Sequence, residues 1–196
     1  MAEGKTMQNL KEFKGLVLRA DVVSFMEVDG KYYRMKGFTD LPTSKETEEY
    51  SRKYVDEKSE RTAVTGMTST TDFTLDRYKD NPVHNRIQEV FDKEQLADEA
   101  TVNIVVVDFA QEIEGQVGAY FAIKRNHTIV PDSAGDGTDA YQYSGSFKAN
   151  GAPIEGYAAL DDGDSEWLII HFIDLNKVNE FTEGKAEGKP EAAQEV

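Results

Sequence analysis

The pattern of hydrophobic and polar positions along this chain consists mostly of short runs rich in β-branched and aromatic residues, separated by turn residues. The clearest pair of runs covers 22–28 and 31–35 and is joined by Asp29-Gly30. A tight type I′ turn needs positive φ at both central positions, and Asp-Gly accepts that conformation readily. The pattern therefore predicts a β-hairpin here.

Several further runs are predicted as strands because they are rich in Thr and β-branched residues or form a short apolar stretch. The run at 141–147 alternates aromatic and small residues with a period of two, so one of its faces should be buried. A turn is predicted at Asn150-Gly151. The predicted strands are 61–65 and 69–75 on either side of Gly66, 101–109, 118–123 and 128–130 as one strand or a bent pair, 141–147, 156–160 and 166–173.

One segment has the period of a helix rather than of a strand. Asn81-Pro82 supplies an N-cap and a proline at the first helical position. The apolar residues that follow recur at helical spacing and form one stripe, which predicts a surface helix lying on a sheet. The stripe consists of Val83, Ile87, Val90 and Phe91.

Two polar segments interrupt this pattern. Residues 38–59 show no strong periodicity and are long for a connection between strands, which predicts a loop arm with a functional role. Residues 182–196 contain mainly Gly, Lys, Glu, Ala and Pro, a composition that buries too little apolar surface to offset its ordering entropy. They are predicted to form a flexible C-terminal tail.

Short strands, turn signals and one helix together predict a mainly β fold, an antiparallel β-sandwich or barrel with one flanking α-helix. The length of 196 residues suits a single domain with a small appendage. We therefore expect a β domain over 1–181, which includes the loop arm, followed by the disordered tail at 182–196.

The charge of the chain limits its partners. There are 37 acidic against 22 basic residues, a formal net charge of −15. Such a chain repels phosphate backbones at long range, so conventional nucleic-acid binding is not expected. A surface along which nucleic acid slides without sticking remains compatible with this charge.

Few residues point to catalysis. The chain contains no cysteine, and His84, His127 and His171 fall in no metal-ligand spacing, so each is expected to be structural. No nucleophile elbow or phosphate-binding glycine loop occurs. We expect no enzyme activity and no cofactor. The absence of a signal-peptide pattern and of a long apolar run predicts a soluble protein made in the cytoplasm, with no membrane partner.

The segment 132–139 partly resembles a calcium-binding loop. Asp132, Asp136 and Gly137 match its first, fifth and sixth positions. Ala134 and Tyr143, at the third and twelfth positions, supply no carboxylate. A turn-rich connection between strands is the preferred interpretation, and no metal site is predicted.

Six stretches of the chain carry a resemblance to a known family. They occur in a fixed order and spacing, within the roughly 150 residues between positions 7 and 160. They are 52–57, 64–66, 73–76, 103–108, 135–140 and 143–148. Taken together they resemble the major tail protein, or tail tube protein, of long non-contractile-tailed bacteriophages of Gram-positive hosts or of their prophages.

The resemblance implies a structural protein of the virion tail, synthesised in the host bacterial cytoplasm. Subunits of that family form hexameric rings whose inner sheets line a channel, and the rings stack into a tube. The implied partners are other copies of the chain, the tape-measure protein, and the tail terminator and distal tail proteins. DNA passes through the lumen without specific binding, and no reaction or cofactor is implied.

Within the polar segment 38–59, the residues Arg52, Tyr54, Asp56 and Glu57 mix charge with aromatic surface, as interface positions do. They are the candidate subunit-interface residues, on an arm that reaches the next subunit or ring. The alternative is a solvated loop with surface ion pairs.

Two other functions remain open at this point. The chain is also compatible with the tube of a phage-derived contractile or bacteriocin particle. A monomeric β-sandwich that binds carbohydrate or a receptor is the other alternative. Its candidate sugar-stacking residues are Tyr32, Tyr33, Tyr141, Tyr143 and Trp167.

Overall fold

The computed structural model describes residues 15–114, 118–135, 138–160, 164 and 166–175. Within these ranges nine strands form one continuous antiparallel sheet, which confirms the predicted mainly β class. The strands are β1 (Val22–Val28), β2 (Lys31–Arg34), β3 (Phe38–Asp40), β4 (Thr43–Arg52), β5 (Arg61–Asp76), β6 (Thr101–Glu112), β7 (Ala119–Ala134), β8 (Gln142–Leu160) and β9 (Ile169–Asp174). Helix α1 spans Pro82–Asp92, and short 3₁₀ helices cover Arg19–Asp21 and Ala97–Ala100.

Six of these strands close into a barrel. The order β6-β1-β2-β9 is completed by pairings of β9 with β8, β8 with β7 and β7 with β6. The joint between β2 and β9 is the shortest, with Cα partners Tyr32–Ile170 and Tyr33–Ile169. The backbone N–H of Arg34 extends it by donating to the carbonyl of Leu168 at 2.8 Å.

The apolar core has two parts because successive strand residues point to opposite faces. Val23 and Phe25 of β1 belong to the cluster inside the barrel, together with Val105 of β6. Met26 points the other way and packs under the helix with Ile87. The helix-side cluster continues across the sheet through Ile104, Ile129, Phe73 and Phe147.

The two strongest local predictions are confirmed. Strands β1 and β2 pair as a hairpin, with φ of 51° at Asp29 and 78° at Gly30. Helix α1 starts after Asn81, whose side chain accepts hydrogen bonds from the backbone N–H groups of Val83 (3.0 Å) and His84 (3.4 Å).

The turn predicted at Asn150-Gly151 is wrong. Strand β8 continues through this point, and β7 runs beside it on both sides, with a register shift between Lys124 and Asn126. Gly151 has a φ of 65°, the conformation that a tight turn also uses. Asn-Gly here produces a bulge that bends a long strand, and the chain does not reverse.

The segment 38–59 exists as an arm, but it is not the irregular loop that was predicted. It contains β3 and β4, and β4 pairs with β5 along its whole length. Strand β4 is exposed at every residue, so no buried face imposes a hydrophobic alternation on its sequence. The tail predicted at 182–196 lies outside the described residues.

Candidate functional site

The most prominent surface feature is a two-stranded ribbon, here called the arm, made of β4 and residues 61–69 of β5. Cα partners run from Thr43–Thr71 at its base to Arg52–Arg61 at its tip. Strand β8 pairs with β5 only from Thr70 onward, so among the described strands the arm has no neighbour beyond that point. The ten residues of β4 give it a length of about 33 Å.

The arm presents both of its edges and both of its faces to solvent. Unpaired strand edges carry rows of N–H and C=O groups that are ready to pair with another chain. A two-stranded ribbon without a packed face is also at best marginally stable in water. Both properties are typical of a segment that is completed by contact with another molecule.

The two faces of the arm differ in chemistry. One, here called the apolar face, carries the exposed side chains of Val64 and Met67 on β5, with Lys45 and Glu49 beside them on β4. The other, here called the acidic face, carries Glu46, Glu48 and Tyr50 on β4. Opposite Glu48 stands Gly66, over which its carboxylate lies, since a Cβ added to the glycine would be 2.9 Å from Oε2.

The tip of the arm brings together three of the four predicted interface residues. The guanidinium carbons of Arg52 and Arg61 lie 5.8 and 5.9 Å from the ring centroid of Tyr54. Glu57 accepts two hydrogen bonds from Arg61, one of them from Nε at 2.8 Å. Asp56 lies exposed in the same turn. Sequence reasoning missed Arg61, whose place opposite Arg52 depends on the strand register.

A cleft of about 600 Å³ opens beyond the base of the arm, near Gly37, which is bonded to Asp76 at the far end of β5. It is here called the root cleft, and its walls include Tyr33, Tyr78 and Leu168. Its lining includes three cationic residues, Arg34, Lys36 and Lys79, and one acidic residue, Asp80. Three separate segments of the chain therefore build a locally basic cleft on a strongly acidic protein.

Buried His84 holds the wall of the root cleft in place. Its Nδ1 accepts a hydrogen bond from the backbone N–H of Tyr78 at 3.0 Å. Its Nε2 lies 2.7 Å from the carbonyl oxygen of Lys36, and must donate the proton there. The ring is therefore neutral, and burial lowers the pKa of His84. The predicted structural role of this histidine is confirmed.

A ladder of polar side chains crosses five neighbouring strands of the sheet. Glu27 accepts hydrogen bonds from the hydroxyl of Tyr32 at 3.1 Å and from the amide of Asn103 at 2.7 Å. Asn126 donates to Asn103 at 3.2 Å, and Asn150 donates to Asn126 at 3.1 Å. Burial, followed by the charge of Glu27, raises the pKa of Tyr32. The ladder satisfies these groups and fixes the strand register.

The aromatic residues considered for sugar binding do not share one surface. Tyr143 is buried under α1, whereas Trp167 packs against Phe109 and Tyr120 with ring centroids 4.8 and 5.2 Å apart. Tyr32 is held by Glu27, and Tyr33 lines the root cleft. The exposed ring of Tyr141 lies 5.3 Å from that of buried Tyr143. The predicted sugar-stacking face is therefore not assembled.

Within the described ranges, no group of three or more His, Asp or Glu side chains is placed to hold a metal ion. Asp136 and Gly137 of the calcium-like segment lie outside the described residues. The helix that the structure describes is too short and too polar to cross a membrane.

No protein-family model matches the sequence, and no curated protein matches it either. Solved structures do. A chain of the virion of a native gene transfer agent particle matches with a TM-score of 0.50 and 11% identity, over 69% of this chain and 95% of that one. A chain from the tail of an empty gene transfer agent particle with C6 symmetry matches with a TM-score of 0.42 and 13% identity, over 69% of this chain and 96% of that one. A chain of the six-fold symmetrised anti-feeding prophage baseplate matches with a TM-score of 0.41 and 8% identity, over 70% of this chain and 91% of that one. At these identities the likeness concerns the fold.

Proposed function

We propose that this chain is a structural subunit of a phage-type tail tube, which assembles with copies of itself into hexameric rings that stack into a tube. The observation that carries the proposal is the arm, a ribbon of about 33 Å with no neighbour among the described strands. The fold shared with a chain of a gene transfer agent virion supports it.

The physics of the arm favours assembly over a monomeric role. Its open edges invite aggregation unless another chain covers them. A ring or stack of identical subunits provides that cover, since a protruding element of one copy meets a complementary surface on the next. The residues at its tip, Arg52, Tyr54, Asp56 and Glu57, are the proposed contacts with that next copy.

The charge of the chain fits the proposed lumen. A tube that carries DNA must not bind it, and a formal net charge of −15 keeps phosphate away from the wall. The proposed partners besides other copies are the tape-measure protein inside the tube and the tail terminator and distal tail proteins at its ends. The protein acts as a conduit in the virion tail, with no reaction and no cofactor.

The alternative of a monomeric carbohydrate- or receptor-binding module loses its main support, because its candidate aromatic residues are dispersed. The tube of a phage-derived contractile or bacteriocin particle would use the same subunit architecture. A gene for a sheath protein beside this one would identify that variant.

Negative-stain electron microscopy of the purified protein at increasing concentration, together with its mass in solution, tests the proposal. Six-fold rings or tubes with a central channel are the expected result. A protein that remains monomeric at every concentration would contradict the proposed function.

A further inference from the structure

We infer that the root cleft receives the acidic face of the arm from another copy of this chain. The inference rests on the proposed function, because it names the surface on which the arm docks. It places Glu46, Glu48 and Tyr50 of one copy against the cations and aromatic walls of the cleft on the next.

The cationic residues of the root cleft favour an anionic partner. Lys36 and Lys79 are exposed on its rim, and Arg34 is half-buried in its lining. The side chains of Arg34 and Lys79 make no hydrogen bond or ion pair with another described residue. Two free cations beside an apolar wall on a protein with a net charge of −15 favour an acidic segment.

The arm offers a segment of that kind. Glu46 and Glu48 are two residues apart on one strand, so their side chains lie on the same face about 6.7 Å apart. Across the ribbon from them stand the uncharged residues Thr68 and Gly66, and the carboxylate of Glu48 lies over Gly66. Tyr50 follows on the same face and is half-exposed. Its hydroxyl accepts a hydrogen bond from Arg52 at 3.2 Å, which leaves the ring to contact the apolar wall of the cleft.

The arm cannot reach the cleft of its own molecule. Along β5 the tip of the arm is at Arg61, its base is at Thr71, and Gly37 of the cleft is bonded to Asp76, so the cleft lies on the side of the base that faces away from the tip. Continuous pairing of β4 with β5 from Thr43 to Arg52 holds the ribbon away from its root. The occupant is therefore the arm of a second copy. A contact between two different surfaces of identical subunits extends from copy to copy, as a ring or a stack requires.

Charge reversal of each side separately tests this pairing in the full-length protein. Lys36→Glu with Lys79→Glu in one variant, and Glu46→Lys with Glu48→Lys in another, should each raise the critical concentration for tube formation by at least about tenfold. An equal mixture of the two variants presents every cleft with an arm of opposite charge. We expect the mixture to form tubes at concentrations where neither variant does so alone.

Two controls keep the result interpretable. Lys31→Glu with Lys148→Glu makes the same change in net charge at two lysines that do not line the cleft, and this variant should assemble like the unmodified protein. The charge of Lys36 also acts on the carboxylate of Asp164, whose pKa it helps to lower. Lys79→Glu alone leaves that interaction in place and should still weaken assembly.

The outcomes separate this inference from the proposed function. If the unmodified protein forms no rings or tubes, the proposed function fails. If it does form them, the inference alone is overturned by any of three results: normal assembly of both charge-reversed variants, no rescue in the mixture, or an equal loss of assembly in the Lys31→Glu, Lys148→Glu control.

Discussion

The imidazole Nδ1 of His84 lies 3.0 Å from the backbone nitrogen of Tyr78 and accepts its hydrogen bond. The opposite ring nitrogen is bonded to the carbonyl of Lys36 at 2.7 Å. One buried side chain thus ties the connection after β2 to the turn before α1, the two segments that form the basic wall of the root cleft. Since Nδ1 must be unprotonated to accept, this link depends on the neutral ring.

The stability of the fold should consequently fall below neutral pH. Burial, the largest cause, lowers the pKa of His84 from the ordinary value of 6.5, and it lowers that of His127 in the same way. The unfolded chain then binds protons that the folded chain does not, so this contribution is fully present above pH 6.5 and is lost as the pH falls below it. Urea unfolding from pH 7.5 to 5 measures the slope, and His84→Gln should make it shallower. Equal slopes in both proteins would exclude His84 as a cause.

Removing the negative charge of Asp164 should loosen the closure of the barrel. Its carboxylate accepts hydrogen bonds from the backbone N–H groups of Glu166 (2.8 Å), Leu168 (2.5 Å) and Ile169 (2.8 Å), which lower its pKa. Asp164→Asn keeps the size of the side chain but weakens these bonds. In this variant we expect backbone hydrogen exchange at Ile169 and Ile170 to become faster than in the unmodified protein, and exchange in β1 to increase less. If hydrogen exchange in β9 is unchanged in Asp164→Asn, the negative charge of Asp164 is not needed to hold β9 in the barrel.

The contact between β8 and β9 leaves no room for a side chain at Gly156. A Cβ there would lie 2.4 Å from the carbonyl oxygen of Ile173 and 2.5 Å from the ring of Phe172. Gly156→Ala should lower the free energy of unfolding by about 1–3 kcal/mol, because such overpacking forces the two strands apart. Gly118, with open space around it and a φ of 79°, provides a comparison in which only backbone strain acts. A smaller loss for Gly156→Ala than for Gly118→Ala would contradict the close approach.

Shortening the arm symmetrically should abolish assembly and leave the fold intact. Lys45 and Ser69 are Cα partners, so residues 46–68 can be replaced by a two-residue Asn-Gly turn without changing the register. The shortened chain is expected to be monomeric by mass, with a thermal midpoint close to that of the full chain. If this variant formed tubes, the arm would not be required for assembly.

The predicted residues at the tip can be tested one by one. Tyr54 lies within 6 Å of two guanidinium groups and is exposed, so Tyr54→Ala should change the stability of the monomer by less than about 0.5 kcal/mol. In tube assembly the same change should raise the critical concentration by about tenfold, as loss of an aromatic contact at an interface does. Lys58→Ala, in the same turn, is the matched control. Identical behaviour of the two variants would place the tip outside the interface.

The features that the sequence predicted well are those set by neighbouring residues. Asp29-Gly30 forms its turn, and Asn81-Pro82 starts its helix, because backbone conformation and capping are local. The strand at Thr43–Arg52 was missed because all of its residues are exposed, so no alternation of apolar and polar positions marks it.

The same distinction applies to the candidate site. Three of the four predicted tip residues meet, since they lie in one turn, whereas Arg61 comes from the returning strand. The root cleft draws on segments around Tyr33, Tyr78 and Leu168, which only the barrel topology brings together. No local pattern in the sequence carries that information.

The short joint between β2 and β9 has a consequence for the order of events during synthesis. Both strands of the arm leave the ribosome long before Ile169–Asp174, the strand that completes the barrel. A nascent chain therefore exposes a finished, adhesive ribbon while its barrel is still open. Neighbouring chains on one messenger RNA are then at risk of premature association. Net charge does not oppose it, because the three Glu side chains of Thr43–Arg52 are matched by Lys45, Arg52 and, on the returning strand, Arg61.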